Sequence, residues 1–338
     1  MLSQRLRVYF TGKRSSSNFL WKGFFLMRDG IARLRSGFLD LLVKLKKPEK
    51  FEVTEISQKS FGKGILGKYY FFGEFGFFNF CVIGGLAQYF KKYPEHKIEI
   101  ITYENYGKML ELAFPENVKA YYTDYKFDEI YRSCYNYKNR VFNMTLKKLG
   151  FKKNVAEDLL LITPGLPKTR VGTSGGYFFQ MISPLKYPLK KKNGKFISIF
   201  PRFRKEFTLG NISEKTWNNV IELLLKFNYK VVMHAHGSET LKLKHKNLIC
   251  TKNIYEQIAY LNNSDFCITP YSGTQFLAQN CDCDCFVILS KDPRQSYLFE
   301  IDKKGYNPFN NKFYCVKENE DYLSKLEEVL KKLKNESK

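Results

Sequence analysis

Four short segments combine residue types that could handle a charged, oxygen-rich ligand. Gly73-Glu74-Phe75-Gly76 lies between a run that reads as a strand and one that reads as a helix. Its glycines permit a tight turn and close approach of a ligand. Glu74 would stand near a helix N-terminus, where a carboxylate can take the proton of an attacking hydroxyl. The same spacing also fits a plain strand-to-helix turn with a solvated Glu. Pro201-Arg202-Phe203-Arg204-Lys205 follows a later strand and gathers three cations that could hold a diphosphate, the arginines in bidentate fashion. A basic surface loop is the competing reading.

The third segment is His234-Ala235-His236-Gly237-Ser238-Glu239. Two histidines so close suggest a metal pair, but no Cys or carboxylate cluster nearby completes a site. The loop suits the wall of a nucleotide pocket better, with His236 facing it and Glu239 accepting from a ribose. The fourth is Tyr271-Ser272-Gly273-Thr274, between a strand and a helix start. Backbone N–H groups there, with the Ser272 and Thr274 hydroxyls, form an anion site by geometry, and Gly273 removes a side chain that would block a phosphate. The spacing is not that of a nucleotide-hydrolase phosphate loop. Cys281, Cys283 and Cys285 recur with period two, which suits the approach to a buried strand. Zinc thiolate sites usually use Cys-x2-Cys pairs, and no second pair exists. No metal is expected.

These segments need a scaffold. The 338 residues suffice for two domains, and 44% hydrophobic residues exclude a disordered chain. The net charge of +23 favours polyanions, whether nucleic acid, anionic lipid or phosphorylated small molecules. Eight cysteines in so long a chain, without a secretory signal, do not read as a disulfide framework. No stretch reaches the roughly 18 apolar residues of a membrane span. The expected location is cytoplasmic, peripheral at a membrane surface if the N-terminal segment binds one.

Leu20, Phe24, Met27, Ile31, Leu34, Phe38, Leu41 and Leu45 alternate in steps of four and three, a heptad seam with Lys and Arg off it. Residues 1–60 therefore read as a basic amphipathic helical extension. It could rest on the globular body, on a second copy, or on an anionic membrane through residues 20–47. Twelve Lys or Arg against three Asp or Glu in residues 1–50 favour the membrane. Residues 48–67 read as a linker. Strands and helices then alternate through residues 61–190 and again through 191–338, with a Pro- and Lys-rich boundary near Pro184–Gly194. The fold expected is α/β, two Rossmann-like domains facing a cleft, with ligands at strand C-termini.

The order of elements in the second half resembles the C-terminal domain of GT-B glycosyltransferases, most closely the heptosyltransferase-like glycosyltransferase family 9. The resemblance covers roughly residues 195–290. It runs from the strand Phe196–Phe200 and its basic loop through Trp217, Gly237, Glu239, Asn253–Leu261, Ser264–Thr269, Ser272–Thr274 and Val287–Leu289. It implies a donor domain at 191–338, with the diphosphate gripped at Ser272, Gly273 and Thr274 and the base met by Ile254 and Tyr255. The first half matches more thinly. The family's Gly-Asp pair, whose Asp is proposed as the base, appears here as Gly73-Glu74, in an acceptor loop closed by Gly76. Tyr271 departs from the acidic residue or Thr often found there.

What the resemblance implies is metal-independent transfer of a hexosyl or heptosyl unit. The donor is a nucleotide-sugar, and the acceptor is a glycan, lipid-linked or other hydroxyl, as in polysaccharide biosynthesis. No cofactor is expected beyond the nucleotide-sugar itself. A basic nucleic-acid-binding protein is the rival class, favoured by charge and aromatics. No nucleic-acid-binding signature supports it, so nucleic acid is not an expected partner. A catalytically inactive GT-B structural protein is the third reading.

Overall fold

A computed structural model describes residues 53–56, 65–73, 75–123, 146–151, 153–155, 168–171, 176–179, 184–189, 194–203, 211–234, 240–241, 243, 245–290 and 313–336. By compactness the chain divides into two units, Met1–Glu52 with Asp124–Gly150, and Val53–Thr123 with Phe151–Lys338. Both large sheets lie in the second unit. The sequence reads as largely helical over Phe127–Leu149 and as a strand over Asp158–Thr163; most of the former, all of the latter and the N-terminal amphipathic segment lie outside the described residues.

The first sheet has β1 (Val53–Glu55), β2 (Ile65–Tyr70), β3 (Lys97–Thr102), β4 (Val118–Thr123) and β5 (Lys153–Asn154) in the order β1-β4-β3-β2-β5. All pairings are parallel except that of edge strand β1 with β4. Between β2 and β3 runs one helical stretch: α1 (Phe75–Phe77), a π-helical segment Phe78–Ile83, and α2 (Gly84–Lys92). Between β3 and β4 lies α3 (Glu104–Ala113). Strands β6 (Lys168–Val171) and β7 (Gly176–Phe179) form a separate antiparallel pair.

The second sheet is wholly parallel. It contains β8 (Phe196–Ile199), β9 (Lys230–Met233), β10 (Leu248–Cys250), β11 (Ser264–Pro270), β12 (Cys285–Leu289) and β13 (Phe313–Lys317), in the order β10-β9-β8-β11-β12-β13. Counted within the sheet this is 3-2-1-4-5-6, the doubly wound Rossmann order. The helices are α4 (Glu214–Lys226), α5 (Ile254–Leu261), α6 (Gly273–Asn280) and α7 (Tyr322–Glu336).

Local chemistry explains the boundaries. Ser213 caps α4 by accepting from the Thr216 N–H at 3.1 Å, and Trp217, Val220, Ile221 and Leu224 form its buried stripe. Asn253 caps α5 by accepting from the Glu256 N–H at 3.0 Å, and the Glu256 carboxylate accepts in return from the Lys252 N–H at 2.8 Å. Strand β12 is buried at all five positions, as expected for a parallel strand covered on both faces. One core cluster, with Trp217, Val220, Phe266, Phe286 and Leu330, lies within the second sheet's layers. The other runs without a break from Phe71, Phe78, Val82 and Leu110 to Ile258, Leu277 and Val287, so helices of both sheets share it.

Two readings need correction. The expected linker at residues 48–67 contains β1 and the start of β2. A three-residue strand shows no readable periodicity, and β1 exists through its pairing of Val53 with Thr123 and Glu55 with Tyr121. The apolar spacing of Phe80, Ile83, Ala87 and Phe90 predicts a helix over Asn79–Tyr93, whereas the helical stretch begins at Phe75 and passes through the π segment. The aromatic run Phe75–Phe80 hides that change of period. Asn262 fastens the segment between the sheets: its Nδ2 donates to the carbonyls of Leu185 (2.9 Å) and Cys281 (2.7 Å), and its Oδ1 accepts from the Tyr187 N–H at 2.9 Å.

Candidate functional site

In doubly wound sheets, ligands bind outside the carboxyl ends of the strands where the strand order reverses. In the second sheet that point lies between β8 and β11. The segments leaving their carboxyl ends are Pro201–Phe203, which opens the basic loop, and Tyr271–Gly273. In the first sheet the reversal lies between β2 and β5, and the segment leaving β2 is Phe71–Gly76. Topology thus assigns three of the four sequence-selected segments to switch points.

The two switch points also meet. A Cβ on Gly273 would stand 2.5 Å from Gly76 N and 2.7 Å from Gly76 Cα, and one on Gly76 would stand 3.2 Å from Gly273 Cα. Backbone packs on backbone there, which only glycine permits. This corrects one expectation: the space freed by Gly273 is occupied by Gly76 and Phe75 main chain. Gly73 has a different reason, since a Cβ there would strike the Phe71 ring at 2.6 Å.

The hydroxyls of the Thr269–Thr274 turn are largely consumed within it. Ser272 is the N-cap of α6 and accepts from the Thr274 N–H at 3.4 Å. Thr269 Oγ1 donates to the Pro270 carbonyl at 3.0 Å and lies 2.5 Å from Thr274 Oγ1, which in turn is 2.6 Å from Ser272 Oγ. Proton order follows: Ser272 donates to Thr274, Thr274 to Thr269, and Thr269 to the carbonyl. Thr274 is 1% exposed. Its hydroxyl orders the turn and is turned away from any ligand, which corrects the expectation that it joins the anion site. Ser272 and Gly273 remain partly exposed.

A second ordered chain crosses the sheet behind the site. His234, just past β9, is 1% exposed. Its Nε2 lies 2.9 Å from Ser198 Oγ and its Nδ1 3.3 Å from Thr251 Oγ1. Ser198 Oγ is 2.8 Å from Ser264 Oγ, which donates to the Tyr260 carbonyl at 2.9 Å. Because Ser264 has given its proton to that carbonyl, it must accept from Ser198. Ser198 then accepts from His234 Nε2–H, and Nδ1 accepts from Thr251. The Phe200 ring stacks on the imidazole at 4.5 Å. Burial holds the imidazole pKa down to about 3, so it stays neutral.

Pro201 and Arg202, which open the basic loop, meet Thr240 and Leu241, which follow the His-Gly-Glu segment in sequence. Arg202 forms an isolated antiparallel bridge with Thr240, and the Leu241 N–H donates to the Pro201 carbonyl at 2.8 Å. Phe203 beside it is exposed. Arg204, Lys205, His236, Glu239 and Glu74 lie outside the described residues. Ile254, expected against a base, is a core residue at 5% exposure, so it packs rather than recognises. Tyr255 is half-buried, with the Tyr187 ring at 5.2 Å and Lys108 and Glu111 of α3 nearby; burial raises its phenol pKa.

Cys267, Cys281, Cys283 and Cys285 are buried, and burial raises each thiol well above its usual range. Among the described residues no three His, Cys, Asp or Glu side chains group as metal ligands. Among them also, no helix is long and apolar enough to cross a membrane. Sequence reasoning missed Asn79 and Asn280, both fully buried where helices of the two sheets meet. A signal existed for Asn79, a lone amide within the aromatic run Phe75–Phe80.

No protein-family model and no curated protein sequence matches this chain. Solved structures do resemble it at low identity. The E. coli heptosyltransferase WaaC with ADP aligns at 9% identity and a TM-score of 0.48, covering 78% of this chain and 98% of that one. The E. coli ADP-heptose LPS heptosyltransferase II aligns at 11% and 0.47, covering 79% and 99%. A glycosyl transferase family 9 structure from Veillonella parvula aligns at 10% and 0.46, covering 78% and 90%.

Proposed function

We propose that this protein is a glycosyltransferase that moves a sugar from a nucleotide-sugar donor to a hydroxyl acceptor on a glycan or lipid-linked molecule. The observation that carries this reading is the meeting of the two switch-point segments at Gly76 and Gly273. It sets the main chain of Phe75 and Gly76, the residues that follow Glu74 in sequence, against the start of α6, which supports acceptor activation and leaving-group stabilisation in one place. The ordered motifs of residues 195–290 support the same reading.

In this scheme residues 61–190 hold the acceptor and residues 191–338 the donor. The donor diphosphate rests on the main-chain N–H groups of Ser272 and Gly273 at the α6 start and on the cations Arg202, Arg204 and Lys205, with His236 and Glu239 lining the nucleoside pocket and Tyr255 against the base. Glu74 takes the acceptor hydroxyl's proton. The acceptor oxygen bonds to the anomeric carbon as the carbon–oxygen bond to the diphosphate breaks, and the electron pair leaves with the nucleoside diphosphate. Fixed cations and helix-start N–H groups stabilise that charge, so transfer proceeds without a metal. Residues 20–47 hold the enzyme to an anionic cytoplasmic membrane surface.

The test is a denaturation screen with ADP, UDP, GDP and their sugar conjugates. A ligand at 100 times its Kd adds about 2.7 kcal/mol to stability. Stabilisation by none of them overturns the reading.

A further inference from the structure

We infer that Asn280, acting through Asn79, is a positioning residue that holds Phe75 and Gly76 in register with the start of α6. Its effect on rate rests on the reading under Proposed function; its effect on structure does not.

Both side chains are wholly buried. Asn280 Nδ2 donates to Asn79 Oδ1 at 3.1 Å and to the Asn79 carbonyl at 3.2 Å. Asn79 Nδ2 donates in turn to the Phe75 carbonyl at 2.9 Å. Phe75 immediately precedes Gly76. A chain of bonds thus runs from the last residue of α6 to the residue beside the glycine that touches its first. Helix α6 is held by segment 75–79 at both ends, about 10 Å apart on helical rise. Contact at one point leaves a helix free to pivot, and contact at two fixes its rotation and its slide.

The apolar contacts of this seam cannot do that alone. Phe78, Val82 and Leu277 pack without direction, whereas hydrogen bonds demand an angle. The arrangement also carries penalties that packing does not explain. Asn280 Oδ1 is buried without a hydrogen-bond partner among the described residues. Asn79 sits in a π segment, a rare geometry frequent at functional sites. A leucine pair would bury more apolar surface, but it would not set the register of Phe75 and Gly76, the residues next to Glu74 in sequence.

The test compares Asn280→Ala, Asn79→Ala and the double variant with wild type by amide hydrogen exchange. Amides of residues 75–79 should exchange at least about tenfold faster in each single variant, with little further change in the double, while β8 and β11 stay protected. In a transfer assay with the nucleotide-sugar that binds wild type, kcat should fall about tenfold with donor KM within about twofold. Asn280→Asp is the milder variant, used if Asn280→Ala does not fold. Its carboxylate faces two acceptors, so its rate should climb as pH falls and the acid regains an O–H for Asn79. Unchanged exchange at 75–79 overturns the inference, as does an unchanged kcat or a flat pH response relative to wild type. If wild type binds no nucleotide, the transferase reading falls, and the exchange measurement still decides the role of Asn280.

Discussion

Replacing Gly273 by Ala should be the most damaging single-methyl addition at the site, and replacing Gly76 by Ala should be mild. The Gly273 Cβ would stand 2.5 and 2.7 Å from Gly76 N and Cα, and 3.2 Å from the Phe75 carbonyl carbon. Carbon atoms at rest lie about 3.5–4.0 Å apart, so roughly 1 Å must open between two backbones. Neither can rotate away as a side chain does. Overpacking of this kind costs about 1–3 kcal/mol, and backbone on both sides puts Gly273→Ala near about 3 kcal/mol. The Gly76 Cβ would meet only Gly273 Cα at 3.2 Å and N at 3.6 Å. A shift of a few tenths of an ångström relieves that, and the gain of about 0.8–1 kcal/mol in helix propensity offsets it. Gly76→Ala should then lie within about 1 kcal/mol of wild type. Urea unfolding of both variants, with midpoints compared at constant slope, reads the difference. Equal stability, or a reversed order, would show that the two switch-point segments do not pack as described.

Other outcomes follow from the same geometry. His234 has a folded-state pKa of about 3 against about 6.5 unfolded. Below pH 6.5 the unfolded chain gains a proton that the folded chain refuses, so stability present above pH 6.5 is lost as pH falls toward 3. Between pH 7.5 and pH 5 this contributes about 2 kcal/mol, and His234→Gln should remove that part of the pH slope measured by urea unfolding. Ser272→Ala removes the α6 cap and should cost about 1 kcal/mol by the same assay. Asn262→Leu leaves the Leu185 and Cys281 carbonyls without their donor and should cost about 2–4 kcal/mol in urea unfolding. Glu74→Gln should fold as wild type does, still be stabilised by the nucleotide, and lose transfer in a product assay; full activity would sink its role as base.

What could be read from sequence was whatever local chemistry determines. Lys97–Thr102 and Cys285–Leu289 each read as a strand from sequence, the first by its isoleucines and the second as an unbroken apolar run, and both strands have those bounds. The Ser213 cap was legible because an N-cap declares itself by residue type. Strands β1 and β13 were not, since each lies at a sheet edge and exists through one partner. At the site, the turn at Thr269–Thr274 was legible and its inner workings were not. Sequence shows that Thr274 has a hydroxyl, and only packing shows that the hydroxyl is spent on Thr269. Sequence marks Gly273 as leaving room for a phosphate, and packing gives its smallness another reason. The reason, a second backbone 197 positions away, is invisible along the chain.

The chain of hydrogen bonds through Thr251, His234, Ser198 and Ser264 has a consequence for how the second sheet assembles. Strands such as β12 are apolar at every position. Such strands can slide by two residues past a neighbour and present nearly the same surface, so misaligned sheets compete with the native one. A slip at β8 or β9 would drag Ser198 or the neutral His234 opposite hydrocarbon and strand its N–H or O–H there. These four polar side chains thus act as a combination lock: the strands settle only in the alignment that matches every donor with its acceptor.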